Sequence, residues 1–400
     1  MAHSSAEQMR QWQGPALFSY GFRPFFLFGA LWAGGAMVLW ILALSGAIQL
    51  PTRFDPVAWH AHAFLFGYLS AIIAGFLLTA VPNWTGRLPV VGPRLAVLFA
   101  VWAVGRAAVL FSAALPVWGS IVLDLMFPLM LAGVILREIV VGKNWRNLIV
   151  LVLLSVFTLA NLMFHLEAAR GASAAQGMGL RLGISAVILM IAVIGGRIVP
   201  SFTRNWLARE GHTARPTPPM QRFDKAVLLV SVAVFWGWVI APTIMITGLG
   251  LCIIGVLHSV RLSRWKGQHT MRDPLVFILH LAYGFIPLGA LAMGAAILWP
   301  DFISKAGALH LWMAGAIGGM TLAVMTRASL GHTGQDLRAG RGTVVVYGAI
   351  IAATLMRFVA GVWPLNMLYD LIGALWCVAF FGFAGIYGPL LWRVKKAVQA

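Results

Sequence analysis

Twelve long apolar runs separated by short polar connections limit what this chain can fold into. Each run is close to the roughly 20 residues that a helix needs to cross a bilayer. Only 10% of the 400 residues are charged and 60% are hydrophobic, whereas about 25% of the residues of a soluble domain are charged. The sequence therefore predicts an all-α membrane protein of about twelve transmembrane helices, at residues 24–47, 57–82, 94–113, 116–137, 146–168, 178–200, 223–241, 243–261, 274–298, 305–328, 343–362 and 365–391.

The basic residues indicate how these helices are oriented. The net charge is +18, and the connections that follow the even-numbered runs hold most of the Lys and Arg. Because cytoplasmic loops carry the positive excess, both termini are predicted to be cytoplasmic, in a bacterial inner membrane. This topology explains the net positive charge without a nucleic-acid partner. The polar residues 1–15 do not resemble a cleavable signal sequence. The basic connections contain Arg87, Arg94, Lys143, Arg146, Arg204, Arg209, Arg215, Arg222, Arg264, Lys266, Arg272, Arg338 and Arg341.

The longest polar connection, residues 204–222, divides a single membrane domain of residues 1–400 into two predicted six-helix halves, 1–203 and 223–400. No convincing sequence repeat relates the halves, and both termini and this connection are predicted to lie on the same side of the membrane.

Two charge pairs fall at matching depths of predicted helical hairpins. Arg106 and Asp124 form the first pair, and Arg357 and Asp370 form the second. Because a charge at membrane depth needs a partner, we expect structural ion pairs. A proton path is the functional alternative.

Four histidines fall in the predicted outer leaflet, in three different helices: His60 and His62, His165, and His310. Positions two apart in a helix lie about 200° apart, so His60 and His62 should face different neighbours. Neutral imidazole is a common ligand of copper and of haem iron. For any one of these residues, a hydrogen bond to a neighbouring helix is the alternative. Together they predict a metal centre held by His60, His62, His165 and His310.

One carboxylate, that of Glu167, lies next to this group in the sequence. It could orient His165 by accepting a hydrogen bond, or it could pair with Arg170 at the helix end.

A second group lies at the predicted cytoplasmic ends of the helices. It contains His280 and His332 together with four arginines, Arg23, Arg87, Arg197 and Arg327. Arginine forks bind carboxylates such as haem propionates, but they also bind lipid phosphates or simply set the topology. We predict cofactor binding by His60, His62, His280 and His332 with these four arginines.

Other chemistries lack their sequence signatures. Cys252 and Cys377 lie in apolar runs, and CxxC and CxxCH are both absent, which argues against iron–sulfur clusters and covalently attached haem. The sequence also contains no Walker loop, HExxH or GxSxG motif.

At these residues the chain resembles the NnrS family of bacterial membrane proteins. The resemblance is carried by GFRPFF (21–26), WHAHAFLFGY (59–68), AGFLLTAVPNWTG (74–86), NLMFHLE (161–167), GRIVPSFTRNW (196–206), DPLVFILHLAY (273–283) and HLWMAGAIGGMTLAVMTRASLGHTG (310–334). It implies an inner-membrane protein that contains haem, which we expect to be b-type, and copper. The resemblance also implies a role in nitric oxide metabolism, denitrification and tolerance of nitrosative stress.

The expected ligand is nitric oxide, which is small and apolar enough to enter from the lipid. Two alternatives remain open. The protein could be an oxidoreductase that takes electrons from a quinol or another donor and resembles haem–copper oxidases and nitric oxide reductases, although it lacks their adjacent His-His pair. It could also be a secondary transporter, by analogy with other proteins of twelve spans.

Overall fold

The computed structural model describes Trp12, residues 14–85 and residues 89–393, except the side chains of residues 83–85 and 366. About 80% of the chain is helical, and the described residues contain no strand. Within them, twelve helices are long and apolar enough to cross a membrane, which confirms the predicted number. They are α1 (Phe22–Leu44), α2 (Pro56–Pro82), α3 (Pro93–Leu110), α4 (Val117–Val141), α5 (Trp145–Ala169), α6 (Met178–Arg209), α7 (Arg222–Ile240), α8 (Met245–Ser263), α9 (Pro274–Leu298), α10 (Lys305–Thr333), α11 (Arg341–Val359) and α12 (Met367–Trp392).

Short 3₁₀ turns lie at the ends of several helices, at Ala16–Phe18, Ser112–Ala114, Trp145–Asn147, Ala174–Gln176 and Gly267–Thr270. The helix starts follow ordinary capping rules. Asp55 accepts a hydrogen bond from the backbone N–H of Ala58, and Pro56 follows it at the first helical position.

Helix α6 is longer than its apolar run predicts. It continues to Arg209, nine residues beyond the predicted end at residue 200, and Gly211 follows with a positive φ of 65°. Hydropathy shows where a helix leaves the apolar core, but backbone hydrogen bonding decides where the helix ends. A glycine in the left-handed region is a common stop signal.

Two transmembrane helices contain a π-helical segment directly after a histidine. In α2 the segment is Ala63–Tyr68, after His62, and in α10 it is Leu311–Gly318, after His310. A π segment shifts the side chains that follow it around the helix axis and occurs often at functional sites.

Tryptophan side chains of neighbouring helices donate hydrogen bonds to backbone carbonyls of the π segment in α2. Trp32 Nε1 donates to the carbonyl of Ala63 over 2.9 Å, and Trp102 Nε1 donates to that of Gly67 over 3.0 Å. These bonds fix the part of α2 that follows His62.

The described residues form two compact units. The first contains the chain up to Gly183, Ala328–Asp336 and the chain from Phe383 onward, and the second contains Ile184–Arg327 and Leu337–Gly382. The predicted division into six-helix halves at residues 204–222 stays a prediction.

The two predicted ion pairs have different outcomes. The Arg106–Asp124 pair is confirmed and is buried in the first unit. The Arg357–Asp370 pair is wrong, because the guanidinium of Arg357 lies over the ring of Tyr369, 5.3 Å from its centroid, while Asp370 is exposed. One residue along a helix is a rotation of about 100°, so the aromatic neighbour of Asp370 occupies the position predicted for the carboxylate.

Candidate metal centre

Three buried side chains meet in the first unit, each from a different helix. His62 of α2 and His165 of α5 both point their Nε2 atoms at Oδ2 of Asp124 in α4, over 3.1 and 3.0 Å. His62 and Asp124 are fully buried, and His165 is 3% exposed. Within the described residues, these three side chains form the one group of at least three His, Cys, Asp or Glu side chains whose ligand atoms all lie within 4.8 Å of one another.

Two further polar side chains complete the surroundings of Asp124. Arg106 of α3 donates to Oδ1 in an ion pair, and Asn161 Nδ2 donates to Oδ2 over 2.8 Å. The carboxylate therefore accepts hydrogen bonds from four side-chain donors. Because the guanidinium balances its charge, Asp124 can stay ionised although it is buried.

Gly67 makes room for Arg106. A Cβ atom at this position would lie 2.7 Å from Arg106 Nη1 and 3.0 Å from Trp32 Nε1. The missing side chain lets α2 approach the guanidinium closely, as occurs where a backbone must pass near a buried group.

The amide of Asn161 fixes the protonation of His62. A carboxylate only accepts hydrogen bonds, so the amide nitrogen faces Asp124 and the amide oxygen faces His62. Asn161 Oδ1 lies 3.0 Å from His62 Nε2, and both neighbours of this nitrogen are therefore acceptors. It follows that His62 carries a proton on Nε2, and His165 must do the same to bond Asp124.

The same spacing suits a metal ion in place of these protons. If the metal–ligand bonds are about 2.1 Å, as for zinc with imidazole or carboxylate, ligand atoms 3.0–3.1 Å apart subtend an angle of about 90–95° at the metal. Two imidazoles and one carboxylate are a donor set used for copper, zinc and non-haem iron. The three residues thus fit a divalent transition-metal ion.

Aromatic side chains enclose this cluster, which we call the Asp124 cluster (His62, Arg106, Asp124, Asn161 and His165). The ring of Phe54 lies 5.4 Å from that of His62 and 5.5 Å from that of His165, and the rings of Phe66 and Phe164 lie 5.4 and 5.6 Å from His62. Apolar rings on this side exclude water and strengthen the electrostatic interactions inside the cluster.

The segment that carries Phe54 is tied down by its neighbour. Arg53 donates through Nε to the carbonyl of Ser112 over 2.9 Å and through Nη2 to that of Leu115 over 2.7 Å. These bonds join the α1–α2 connection to the turn between α3 and α4 and hold Phe54 over the cluster.

The four predicted metal-binding histidines have different surroundings, and the structure brings His62 and His165 together. His60 stacks on Trp40, with ring centroids 4.5 Å apart, so His60 and His62 do face different neighbours. His310 lies in the second unit, where its Nδ1 donates to the carbonyl of Ala306 over 2.7 Å. That bond fixes the tautomer of His310 and makes Nε2 its lone-pair nitrogen.

Glu167 fills neither of its two predicted roles. Its carboxylate accepts from the backbone N–H groups of Met178 over 2.8 Å and Gly179 over 3.3 Å. A carboxylate there satisfies the unpaired N–H groups at the start of α6 and interacts favourably with the helix dipole. Asp124 is the carboxylate of the cluster instead.

Two predicted haem-binding histidines already have other contacts. His280 Nε2 lies 2.7 Å from Thr203 Oγ1, which donates to the carbonyl of Val199, so the histidine is the donor in this bond. The ring of His332 packs against those of Tyr20 and Phe22, with centroids 5.3 and 5.5 Å away.

Three of the four predicted haem-binding arginines interact with other groups of the protein. Arg23 donates to the carbonyls of Leu391 and Arg393 over 3.1 and 3.0 Å and thereby caps the end of α12. Arg327 lies 4.1 Å from the centroid of Phe202, Arg197 also interacts with other groups of the protein, and Arg87 is outside the described residues. None of these contacts outlines a haem site, so the haem assignments stay predictions.

Sequence reasoning missed a second buried network, in the second unit. Arg261 of α8 donates to Asp224 of α7 over 2.8 Å and to the hydroxyl of Tyr283 over 2.9 Å. His258 bonds Tyr283 through Nδ1 and Ser231 through Nε2, over 2.9 and 3.0 Å. The matching-depth rule that predicted Arg106–Asp124 would also have predicted Asp224–Arg261, because both lie near the same end of consecutive helices.

The fold and the cluster together define a class: a multi-pass membrane protein with a buried histidine–carboxylate centre. Residues 16–395 match the sequence profile of the NnrS protein family, so nearly the whole chain is covered. The chain belongs to the NnrS family, which is known for binding haem and copper and is related to nitric oxide. A comparison with curated proteins finds no match.

Proposed function

We propose that this protein binds copper at the Asp124 cluster and uses it to bind or consume nitric oxide in the bacterial inner membrane, with both termini in the cytoplasm. The observation that carries the proposal is the convergence of His62 Nε2, His165 Nε2 and Asp124 Oδ2 on one buried point. Family membership supports the link to nitric oxide.

The residues of the cluster have separate roles in this proposal. His62, His165 and Asp124 hold the ion, and Arg106 keeps the carboxylate ionised before the ion arrives. Metal binding at each Nε2 would move the proton of the neutral imidazole to Nδ1, because a metal binds the ring nitrogen that carries the lone pair. When bound, copper supplies a site for nitric oxide and one electron per change of oxidation state.

The surroundings suit a small apolar gas. Phe54, Phe66 and Phe164 line the cluster, and nitric oxide can cross the lipid and an apolar ring layer without a polar channel. Charged competitors would lose their hydration at the same layer, so the rings favour neutral ligands.

Metal analysis of purified protein tests the proposal. Wild type should contain copper, and His62→Ala and His165→Ala should each lose the copper of this site. His212→Ala is the matched control, since this histidine is half-buried in the α6–α7 connection and bonds the backbone of Ala214. If both cluster variants keep the wild-type copper content, the copper assignment is wrong.

A second measurement separates binding from turnover. Nitric oxide added to copper-loaded protein should change its absorption or electron paramagnetic resonance (EPR) spectrum in wild type and not in His62→Ala. An electrode then shows whether a quinol or an artificial donor sustains consumption in membranes. Consumption above the His62→Ala level would identify an oxidoreductase, and a spectral change without consumption would identify a binding protein. No spectral change in the loaded wild type would refute the nitric oxide role.

A further inference from the structure

We infer that Asn161 is a fourth ligand of the proposed metal, through its amide oxygen, so that the centre has two nitrogen and two oxygen ligands. This inference rests on the proposed function and adds a ligand that the sequence did not single out. Asn161 lies one helical turn before His165 in α5, and residues four apart share a helix face.

The position of the amide oxygen carries the inference. Asn161 Oδ1 is 3.0 Å from His62 Nε2, the same spacing that separates Asp124 Oδ2 from the two histidine nitrogens. Neighbouring ligand atoms of a metal have about this separation when bond lengths are about 2.1 Å and the angle between the bonds is near 90°. Asn161 is 2% exposed, so a water molecule from bulk solvent does not compete for the position.

The other end of the amide explains why the oxygen is available. Asn161 Nδ2 donates to Asp124 Oδ2 over 2.8 Å, and this bond holds Oδ1 toward His62. Ligation through the oxygen leaves that bond in place. The single hydrogen bond that the oxygen gives up is the one from His62 Nε2, whose proton the metal replaces. One side chain therefore positions a ligand and is a ligand itself.

The resulting donor set indicates the class of metal ion. Imidazole nitrogens with carboxylate and amide oxygens suit divalent copper, nickel or zinc, whereas monovalent copper prefers thiolate and thioether ligands. None of the four side chains that donate hydrogen bonds to Asp124 carries sulfur. We therefore expect the centre to bind Cu(II) more tightly than Cu(I).

Pulsed EPR of Cu(II)-loaded protein tests the ligand directly. In protein grown with ¹³C-amide asparagine, Cu(II) should show a ¹³C coupling that disappears in Asn161→Ala. Asn147→Ala is the matched control, since Asn147 is also buried in the first unit but lies at the start of α5. The ¹³C coupling should persist in this control.

Metal titration gives an independent readout. Removing a group that supports or completes a metal site typically lowers affinity 10–100-fold, so Asn161→Ala should weaken Cu(II) binding by at least about tenfold. Asn161→Asp, which keeps an oxygen at the position, should bind Cu(II) more tightly than Asn161→Ala. If Asn161 only positioned His62, both variants would weaken binding equally and the EPR of the bound ion would not change.

The outcomes separate the two proposals. Imidazole ¹⁴N couplings without an asparagine ¹³C coupling in wild type would overturn the role of Asn161 and leave the copper site intact. Absence of both couplings in wild type would overturn the copper site itself.

Discussion

Replacing Asp124 with asparagine tests the electrostatic account of the cluster most directly. The change keeps the shape of the side chain and removes its charge. Arg106, which is 5% exposed, would then be a buried cation without its anion. The oxygen shared by His62, His165 and Asn161 would also become a weaker acceptor.

The expected loss can be estimated from the partner that remains. Removing one member of a buried ion pair costs about 3–5 kcal/mol, and the remaining amide oxygen can still accept one hydrogen bond. We therefore expect Asp124→Asn to lower the free energy of unfolding by about 3 kcal/mol. Adding Arg106→Met should restore part of this loss, because the double variant no longer has an unpaired buried charge.

Asp55→Asn is the matched control. Asp55 is exposed and caps α2 by accepting from the backbone N–H of Ala58 over 2.9 Å. Asparagine caps helices as well as aspartate does, so the control should stay within about 0.5 kcal/mol of wild type. The assay is unfolding of detergent-solubilised, metal-free protein in increasing dodecyl sulfate, followed by tryptophan fluorescence. A difference between the two variants of under about 1 kcal/mol would show that the carboxylate is not the anion of a buried pair.

Three further predictions follow from single contacts. Phe54→Ala should admit water to the cluster, seen as faster loss of bound copper to a hydrophilic chelator, and an unchanged rate would contradict the shielding role. Gly67→Ala should be destabilising, since its Cβ would meet Arg106. The control Gly35→Ala has open space around it and should be neutral or stabilising by up to about 1 kcal/mol. Equal unfolding midpoints of the two variants would refute the role of Gly67. Asp224→Asn should destabilise the protein by about 3–5 kcal/mol, measured by the same unfolding assay, and a change below about 1 kcal/mol would show that Arg261 has another anion.

The twelve spans could be predicted because their signal is local. A bilayer requires about 20 apolar residues per helix, and that requirement is visible in the sequence without knowledge of neighbours. Helix ends and rotations depend on more. Arg357 and Asp370 have matching depths, yet the rotation of α12 brings Tyr369 to the arginine instead. Depth can be counted along a sequence, whereas the direction of a side chain depends on how helices pack.

The site was predicted in part for the same reason. His62 and His165 stand out as ionisable groups at membrane depth, and the sequence supplies both. Asn161 is uncharged and gives no such signal, except that it precedes His165 by four residues. The π segment after His62 is stabilised by tryptophans of α1 and α3. Hydrogen bonds between helices that are separated along the sequence cannot be predicted from the periodicity within one helix.

The two buried networks show why the identity of a histidine's partners decides its chemistry. In the second unit, His258 bonds a tyrosine and a serine, and the single carboxylate there pairs with Arg261. Each ring nitrogen has its own oxygen, so no point exists at which several ligand atoms meet. In the Asp124 cluster, two imidazoles and an amide converge on one carboxylate oxygen. This crowding around one oxygen supports the proposed metal site at the Asp124 cluster, whereas the separate partners in the second unit are typical of a structural network.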